Sequence, residues 1–394
     1  MRGWRLYLAG LLTVCLVGST LARAQTGPAA PAGQKPLLSE QAFKNVRVLR
    51  GIPVKEFMDT MGFFAASLAL NCSDCHSQAS ASNWANYADD TPLKQATLRM
   101  ILMVNAINRA NFAGAPAVTC YTCHRGSQRP KVIPSLAQQY AAPPDEDPDE
   151  VVPLAVVQRP GMTVEQILDK YIQAVGGAGA LAKLTSFTAK GTYDGYDSDF
   201  EKVPVDVYAK APNQRATLIH MRAGDSSTIV DGREAWAAGP ADLTPVAVIS
   251  LVSAAFESAR IDAQLGFPGQ VKQVLTDWRA GFPPLRIDDR AVDVIEGKTP
   301  EGSGVKLYFD RETGFLVRSV RYSKTVVGIN PISVTYSNYQ DVPGLGIKLP
   351  YTWVLTWTNG RGTYEMTSLE PNVTIPAARF GRPAPPTPPT AAQK

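Results

Sequence analysis

Histidine is almost missing from this chain. Of 394 residues only His76, His124 and His220 are histidines, so where they stand carries weight. Charge of either sign is also sparse: 19% of residues are charged, and 39 Lys+Arg stand against 35 Asp+Glu. So mild a balance, with no basic block interleaved with aromatics, excludes nucleic acid as the partner and gives no reason to expect a membrane surface. No apolar run is long enough for a comfortable membrane span; the one near the start, Leu6 to Val17, is too short. Cysteine is rare as well, with five in all.

Four of those five fall into one pattern that occurs twice. Cys72-Ser73-Asp74-Cys75-His76 and Cys120-Tyr121-Thr122-Cys123-His124 are both C-x-x-C-H, so two of the three histidines directly follow a C-x-x-C. That pattern reads as c-type haem attachment. The thiols add across the porphyrin vinyl groups to give thioethers, and the imidazole that follows becomes the proximal iron ligand. A bare C-x-x-C also serves as a redox dithiol, a disulfide or half of a zinc site. Histidine placement favours haem c, covalently bound at two sites by Cys72 and Cys75 and by Cys120 and Cys123, with His76 and His124 on the irons.

The first residues read as an export signal, 1–24: Arg2 and Arg5 supply the basic start, Leu6 to Val17 the apolar stretch, and Ala22-Arg23-Ala24 the cleavage site. Cys15 lies inside it and goes with it. An exported, periplasmic address suits haem attachment, which follows export. Residues 25–42, rich in Gly, Ala and Pro from Thr26 to Lys35, are expected to form a disordered leader.

The first unit, 43–140, is expected to be mainly α. Val46 to Leu49 suggest a short extended piece. A helix then opens at Ile52-Pro53 and runs to about Leu70, carrying Phe57, Met58, Met61 and Leu68 at helical spacing. The plan repeats: Asp90 or Thr91 caps, Pro92 sits in the first turn, and a helix runs to about Asn111 before Gly114-Ala115-Pro116 breaks it. Helix, turn and C-x-x-C-H, twice over, read as an internal duplication. Each helix carries a methionine pair three apart, Met58/Met61 and Met100/Met103, sharing a face. A thioether serves as sixth ligand opposite His. Spacing does not choose within either pair.

Asn45 to Leu49, Phe57 to Met61, Ala88-Asp89-Asp90, Arg99-Met100, Ala106-Ile107-Asn108 and the string Val118 to Gly126 resemble the cytochrome c subunit of photosynthetic reaction centres over about residues 43–136. That family builds each site as a helix bearing the distal Met, a turn and a C-x-x-C-H. The resemblance therefore implies Met61 as ligand of the first haem and Met100 of the second. Its tetrahaem members carry two more C-x-x-C-H motifs, which this chain lacks. Phe112 stands about where those members have a His that reaches a further haem, in keeping with two haems here.

Residues 141–161, with clustered Pro, Asp and Glu, read as a stiff, solvated linker. The second unit, 162–380, has another texture. Thr163-x-x-Gln166 is a capping box for a helix ended by Gly176-Gly177. Alternating runs follow at 186–196, 203–209, 215–221 and 228–238, then a helical interlude over 243–263. Further runs lie at 285–296, 305–310, 316–322, 332–339, 348–358 and 362–369. The expected class here is α+β, a curved antiparallel sheet packed on helices. The order is similar to the half-barrel of periplasmic lipoprotein-carrier proteins, on pattern rather than on any motif. His220 is expected to be structural, and no catalytic spacing stands out. Residues 381–394 read as a disordered tail.

The chain as a whole is thus expected to be multidomain: a dihaem electron-transfer cytochrome fused to a β-rich accessory domain. Its expected partners are redox proteins, a membrane-bound complex among them. Two other readings compete. A dihaem oxidoreductase or peroxidase needs an open or weakly ligated iron; a binding protein would hold an apolar ligand or a partner in its C-terminal half, with the haems attached as a module.

Overall fold

The computed structural model describes residues 35–141, 161–241, 243–282 and 285–386. The expected signal, most of the leader, the linker between 142 and 160 and the last eight residues of the tail lie outside the described residues. Residues Lys35–Lys394 form one compact unit.

Order begins earlier than the leader reading expects. Ser39–Ala42 is a helical turn, and Ser39, fully buried, accounts for it. Its N–H donates to Ile52 O at 2.8 Å and its hydroxyl to Leu49 O at 2.6 Å, tying the turn to the segment before the first long helix. The extended piece expected over Val46 to Leu49 is not a strand. Asn45 turns the chain through φ 57°, and bends follow, with Leu49 and Ile52 facing inward.

Two long helices form as their caps dictate. Helix α1 (Val54–Leu68) has Pro53 at its N-cap and ends at Ala69 in the left-handed region. Helix α2 (Pro92–Asn111) has Thr91 as its cap, whose hydroxyl accepts from Lys94 N at 3.2 Å, and Pro92 in its first turn. Each C-x-x-C-H lies on a short helical turn, Cys72–Cys75 and Cys120–His124.

Helix α3 (Val164–Ala174) begins with the expected capping box: Thr163 N donates to Gln166 Oε1 at 2.8 Å and Gln166 N to Thr163 Oγ1 at 3.2 Å. The strands are β1 (Ser186–Gly195), β2 (Val203–Lys210), β3 (Gln214–Met221), β4 (Gly224–Val230), β5 (Ala235–Ala238) and β6 (Val248–Leu251). After helix α4 (Ser253–Leu265) come β7 (Thr276–Arg279), β8 (Leu285–Ile287), β9 (Arg290–Lys298), β10 (Gly304–Asp310) and β11 (Leu316–Thr325). The last three are β12 (Gly328–Val342), β13 (Ile347–Trp357) and β14 (Gly360–Pro371). The interlude expected to be helical from Leu243 is so only from Ser253. Val248–Leu251 pairs with β5 instead, where its β-branched residues suit a strand.

All fourteen strands join one antiparallel sheet in the order β6-β5-β4-β3-β2-β1-β14-β13-β12-β11-β10-β9-β7, with β8 beside β9. The first and last strands pair at its middle, Phe187 opposite Pro371 through Gly195 opposite Gly362. Helix α4 packs against β3, β4 and β5 and also against β11. A flat sheet would hold β4 and β11 about 34 Å apart, seven spacings of ~4.8 Å. A helix is only about 10–12 Å across, so the sheet must curl around α4. Arg321 on β11, almost fully buried, locks this by donating from both terminal nitrogens to Asp262 on α4. The main core lies inside the curve: Leu168, Tyr171 and Val175 from α3, Ile261 from α4, and Val205, Leu307 and Ile347 from the sheet.

Helix α1 lies against β11 and β12. Val327, at the turn between those strands, joins Leu49, Ile52, Phe63, Phe64 and Ile101 in one buried cluster. No helix among the described residues is long and apolar enough to cross a membrane.

Candidate haem-binding sites

The two motifs are built alike from the backbone up. Asn71 caps the first: its Oδ1 accepts from Asp74 N at 3.2 Å, while Asp74 Oδ2 accepts from Asn71 N at 2.8 Å. Thr119 caps the second, exchanging hydrogen bonds with Thr122, N to Oγ1, at 3.0 and 3.3 Å. In both, the residue just before the second cysteine closes a capping box. The box forces the C-x-x-C into a helical turn, and cysteines three apart on a turn share one face. All four thiols are free of disulfide bonds. Cys75 and Cys120 are half-buried, and burial pushes both thiols up from their ordinary values.

The imidazoles repeat the pattern. His76 Nδ1 lies 3.1 Å from Tyr87 O, and His124 Nδ1 lies 3.0 Å from Ser127 O. A carbonyl only accepts, so in each ring Nδ1 carries the hydrogen and Nε2 keeps its lone pair. This is the tautomer an Nε2 metal ligand needs, oriented by the second-shell bond such ligands use. Burial and the nearby Lys94 ammonium hold His76 below the ordinary imidazole value, so it is neutral at pH 7. The Tyr87 ring packs on His76 at 4.7 Å between centroids, and Trp84 stacks on Tyr87 at 5.1 Å.

Neighbours hold each motif in place. Thr91, the cap of α2, donates its hydroxyl to Cys75 O. Lys94 Nζ donates to the carbonyls of Tyr87, Ala88 and Asp89, each at 3.1 Å. Asn45 Nδ2 reaches Ala88 O at 2.7 Å and Asp90 Oδ1 at 3.0 Å, and Arg47 pairs with Asp90 at 2.5 Å. Asn45-Arg47 and Ala88-Asp90, far apart in sequence, are thereby brought together. The second motif rests on α1: Gly126 N donates to Ser67 O at 3.0 Å, and Asn108 of α2 grips Val118.

The methionines fall unequally. Met61 packs, partly buried, on the cluster that holds Phe63, Phe64 and Ile101, where Cys120 also packs. Met100 and Met103 are both largely exposed on α2, and Met58 on α1 is borderline. Tyr87, Thr91, Lys94 and Asn108 were not singled out as site residues from sequence. Thr91 carried a signal as a helix cap, and Asn108 as an Asn in the last turn of α2, where such side chains bond to neighbouring backbone.

The donor set fits haem c. Each motif offers two free thiols on one face and an imidazole oriented by a backbone carbonyl. Among the described residues no three or more His, Cys, Asp or Glu converge as a metal cluster, which is what a zinc site would require.

Residues 17–149 match the family model described as photosynthetic reaction centre cytochrome C subunit. The chain is 36% identical over 100 residues to the photosynthetic reaction center cytochrome c subunit of Rubrivivax gelatinosus, covering 24% of this chain and 25% of that one. It is 37% identical over 120 residues to the subunit of Thermochromatium tepidum, covering 29% and 26%. The chain therefore spans about a quarter of the length of these cytochrome c subunits, and the similarity lies in the part that bears both C-x-x-C-H motifs. Among solved structures, a LolA superfamily protein from Nitrosomonas europaea aligns with 56% of this chain and 99% of its own at TM-score 0.37 and 15% identity. A DUF1329 family protein from Desulfovibrio piger aligns with 55% and 97% at TM-score 0.37 and 10% identity.

The second unit has no comparable constellation. His220 on β3 stands between two carboxylates, Nδ1 at 3.0 Å from Asp225 and Nε2 at 3.3 Å from Asp206, which bridge β4 and β2. Inside the curve of the sheet is a cavity of about 180 Å³, walled by apolar and aromatic side chains including Leu349, Trp353, Tyr364 and Met366. Arg215 enters it, with its guanidinium 5.3 Å from the Trp353 ring centroid.

Proposed function

We propose that the chain is an exported dihaem c-type cytochrome that passes single electrons between redox proteins. One haem c is held by Cys72, Cys75 and His76, the other by Cys120, Cys123 and His124, with Met61 and Met100 as distal ligands. The observation that carries this reading is the repeated local build: a capping box, two thiols on one face of a turn, and an imidazole whose Nδ1–H is spent on a backbone carbonyl. Bound haem would supply a one-electron iron couple there.

The chain's own residues do the rest. The thiols of Cys72, Cys75, Cys120 and Cys123 would hold the two rings covalently as thioethers. Tyr87 O and Ser127 O orient the imidazoles and raise the basicity of Nε2. Phe57, Phe63 and Phe64 contribute apolar surface beside Met61 and Cys120, excluding water. Partners on this reading are an electron donor and an acceptor, a membrane-bound complex among them. A haem-stained denaturing gel with an iron count is the test. Two irons per chain, with haem that resists acidified solvent, are expected; zinc or extractable haem would overturn the reading.

The cavity supports a second role alongside the first, binding of an apolar ligand in the C-terminal half. Arg215 and the Asp262 carboxylate both stand in the cavity's otherwise largely apolar wall, so an apolar molecule with a polar end suits the site. Solvent extraction of the purified protein, followed by mass spectrometry, should yield such a molecule. Its reduced recovery from Arg215→Met is the expected control; equal recovery would assign the molecule elsewhere.

A further inference from the structure

Helix α1 is held by the sheet at three separate points. Asn330 on β12, almost fully buried, donates Nδ2 to Asp59 O at 2.9 Å. Gly62 lies so close to the β13–β14 turn that a Cβ there would meet Asn359 Oδ1 at 2.5 Å and Thr358 Oγ1 at 3.0 Å. Phe63 presses on Gly328 so tightly that a methyl group at 328 would enter its ring. Gly328 does not have a positive φ, so the need for glycine there is one of space and not of backbone. Beside it, Val327 is 2% exposed within the cluster on which Met61 and Cys120 pack.

Asp59 and Phe63 each lie two residues from Met61, about 200° round the helix at ~100° per residue. Gly62 is the next residue, about 100° round, and Phe63 shares with Met61 the cluster that Val327 completes, so the sheet's contacts flank Met61. Contacts from two turns and a strand oppose both rotation and sliding of α1. A rotation by one residue, about 100°, would carry Met61 off its face.

We propose that the sheet is a working part of the haem site: Val327 and Gly328, at the β11–β12 turn, are positioning residues that set the distal ligand Met61. This rests on the reading of Met61 as an axial ligand. The β-rich part would then be neither a passenger nor a carrier of the haem unit, but the back wall that fixes how firmly one thioether reaches its iron.

The test uses the full-length holoprotein. Gly328→Val overfills the contact and Val327→Ala empties it; Met61→Leu is the reference, and Gly328→Ala combined with Phe63→Leu is the rescue. The readouts are the weak red-edge charge-transfer band of Met–iron bonding in the oxidised protein and carbon monoxide binding in the reduced one. Met61→Leu should lose about half of the band and let carbon monoxide bind one of the two haems. Gly328→Val should do the same, with both haems still attached, and the double variant should regain the band. A full band and no carbon monoxide binding in Gly328→Val, beside a halved band in Met61→Leu, would overturn the proposal alone. A full band in Met61→Leu would overturn the ligand reading and the proposal with it. Should Gly328→Val fail to fold, Val327→Ala decides by the same two readouts.

Discussion

Asn108 on α2 grips Val118 with both ends of its amide: Val118 N donates to Asn108 Oδ1 at 2.9 Å, and Asn108 Nδ2 donates to Val118 O at 2.7 Å. This two-point clamp joins residues ten apart and closes the eight-residue connection between α2 and the second C-x-x-C-H. It fixes where Thr119 starts its capping box and so where both thiols of that motif point.

Asn108→Ala should therefore destabilise the second site by about 1–3 kcal/mol, the cost of leaving a buried donor and acceptor unpaired. Asn108→Asp keeps the acceptor for Val118 N and should lose less. Chemical unfolding followed by the helical circular-dichroism signal measures both. An alanine variant as stable as the wild type would show the clamp to be dispensable.

The distal ligands divide the four helix methionines. Leu replacements nearly conserve volume and should each cost less than ~1.5 kcal/mol. Met61→Leu and Met100→Leu should each remove about half of the Met–iron band, whereas Met58→Leu and Met103→Leu should leave it whole. The opposite division would exchange the assignment within the pairs.

Replacing Cys72, Cys75, Cys120 and Cys123 together by alanine in the full chain should unfold the first helices and spare the sheet. The cluster around Phe63 has six buried hydrophobic side chains, one of them Val327 from the sheet, against thirty-one in the main core. So thin a core needs the apolar faces of its cofactors. Proteolysis should cut within residues 43–140 and leave a resistant fragment from about residue 162. Protection of α1 and α2 in the haem-free chain would count against it.

His220 should make stability depend on pH. Burial pulls its pKa down, but hydrogen bonds to Asp225 and Asp206 and their charges outweigh this and raise it above the ordinary value. A raised pKa means the protonated ring binds more tightly in the folded state. The gain is full below about pH 6.5, the unfolded value, and fades as pH rises through the folded one. The site is a third exposed, so screening holds the effect to no more than about 1 kcal/mol. Wild type should exceed His220→Gln in unfolding stability near pH 5.5 and lose that margin progressively as the pH is raised well above the ordinary imidazole value. A margin constant across this range would show the pairs to be electrostatically idle.

Much of the local build was legible because its cause is local. Thr163 and Gln166 sit three residues apart, the spacing and residue types of a capping box; Asn71 with Asp74 and Thr119 with Thr122 share the spacing but lack the Glu or Gln that marks one, and the structure shows them. A capping box needs nothing beyond one turn of chain. Most strand positions follow from alternation for the same reason, β6 and the short β7 excepted. Where the reading missed, a distant partner had intervened. Val248–Leu251 becomes a strand because β5 offers it an edge, and Ser39 is ordered by Leu49 and Ile52.

The sequence by itself determined the chemistry on offer: four thiols and two imidazoles at fixed short spacing, on turns that their own neighbours cap. Tertiary structure alone decided what stands behind that chemistry. The bond from Asn330 to Asp59 spans 271 residues, and the fit of Phe63 over Gly328 spans nearly as many. Contacts of that range leave no period or spacing in the chain. They exist because curling the sheet round α4 to bury its core brings the β11–β12 turn to the back of α1, where a valine side chain and the missing side chain of a glycine complete a cluster that the first helices could not close alone.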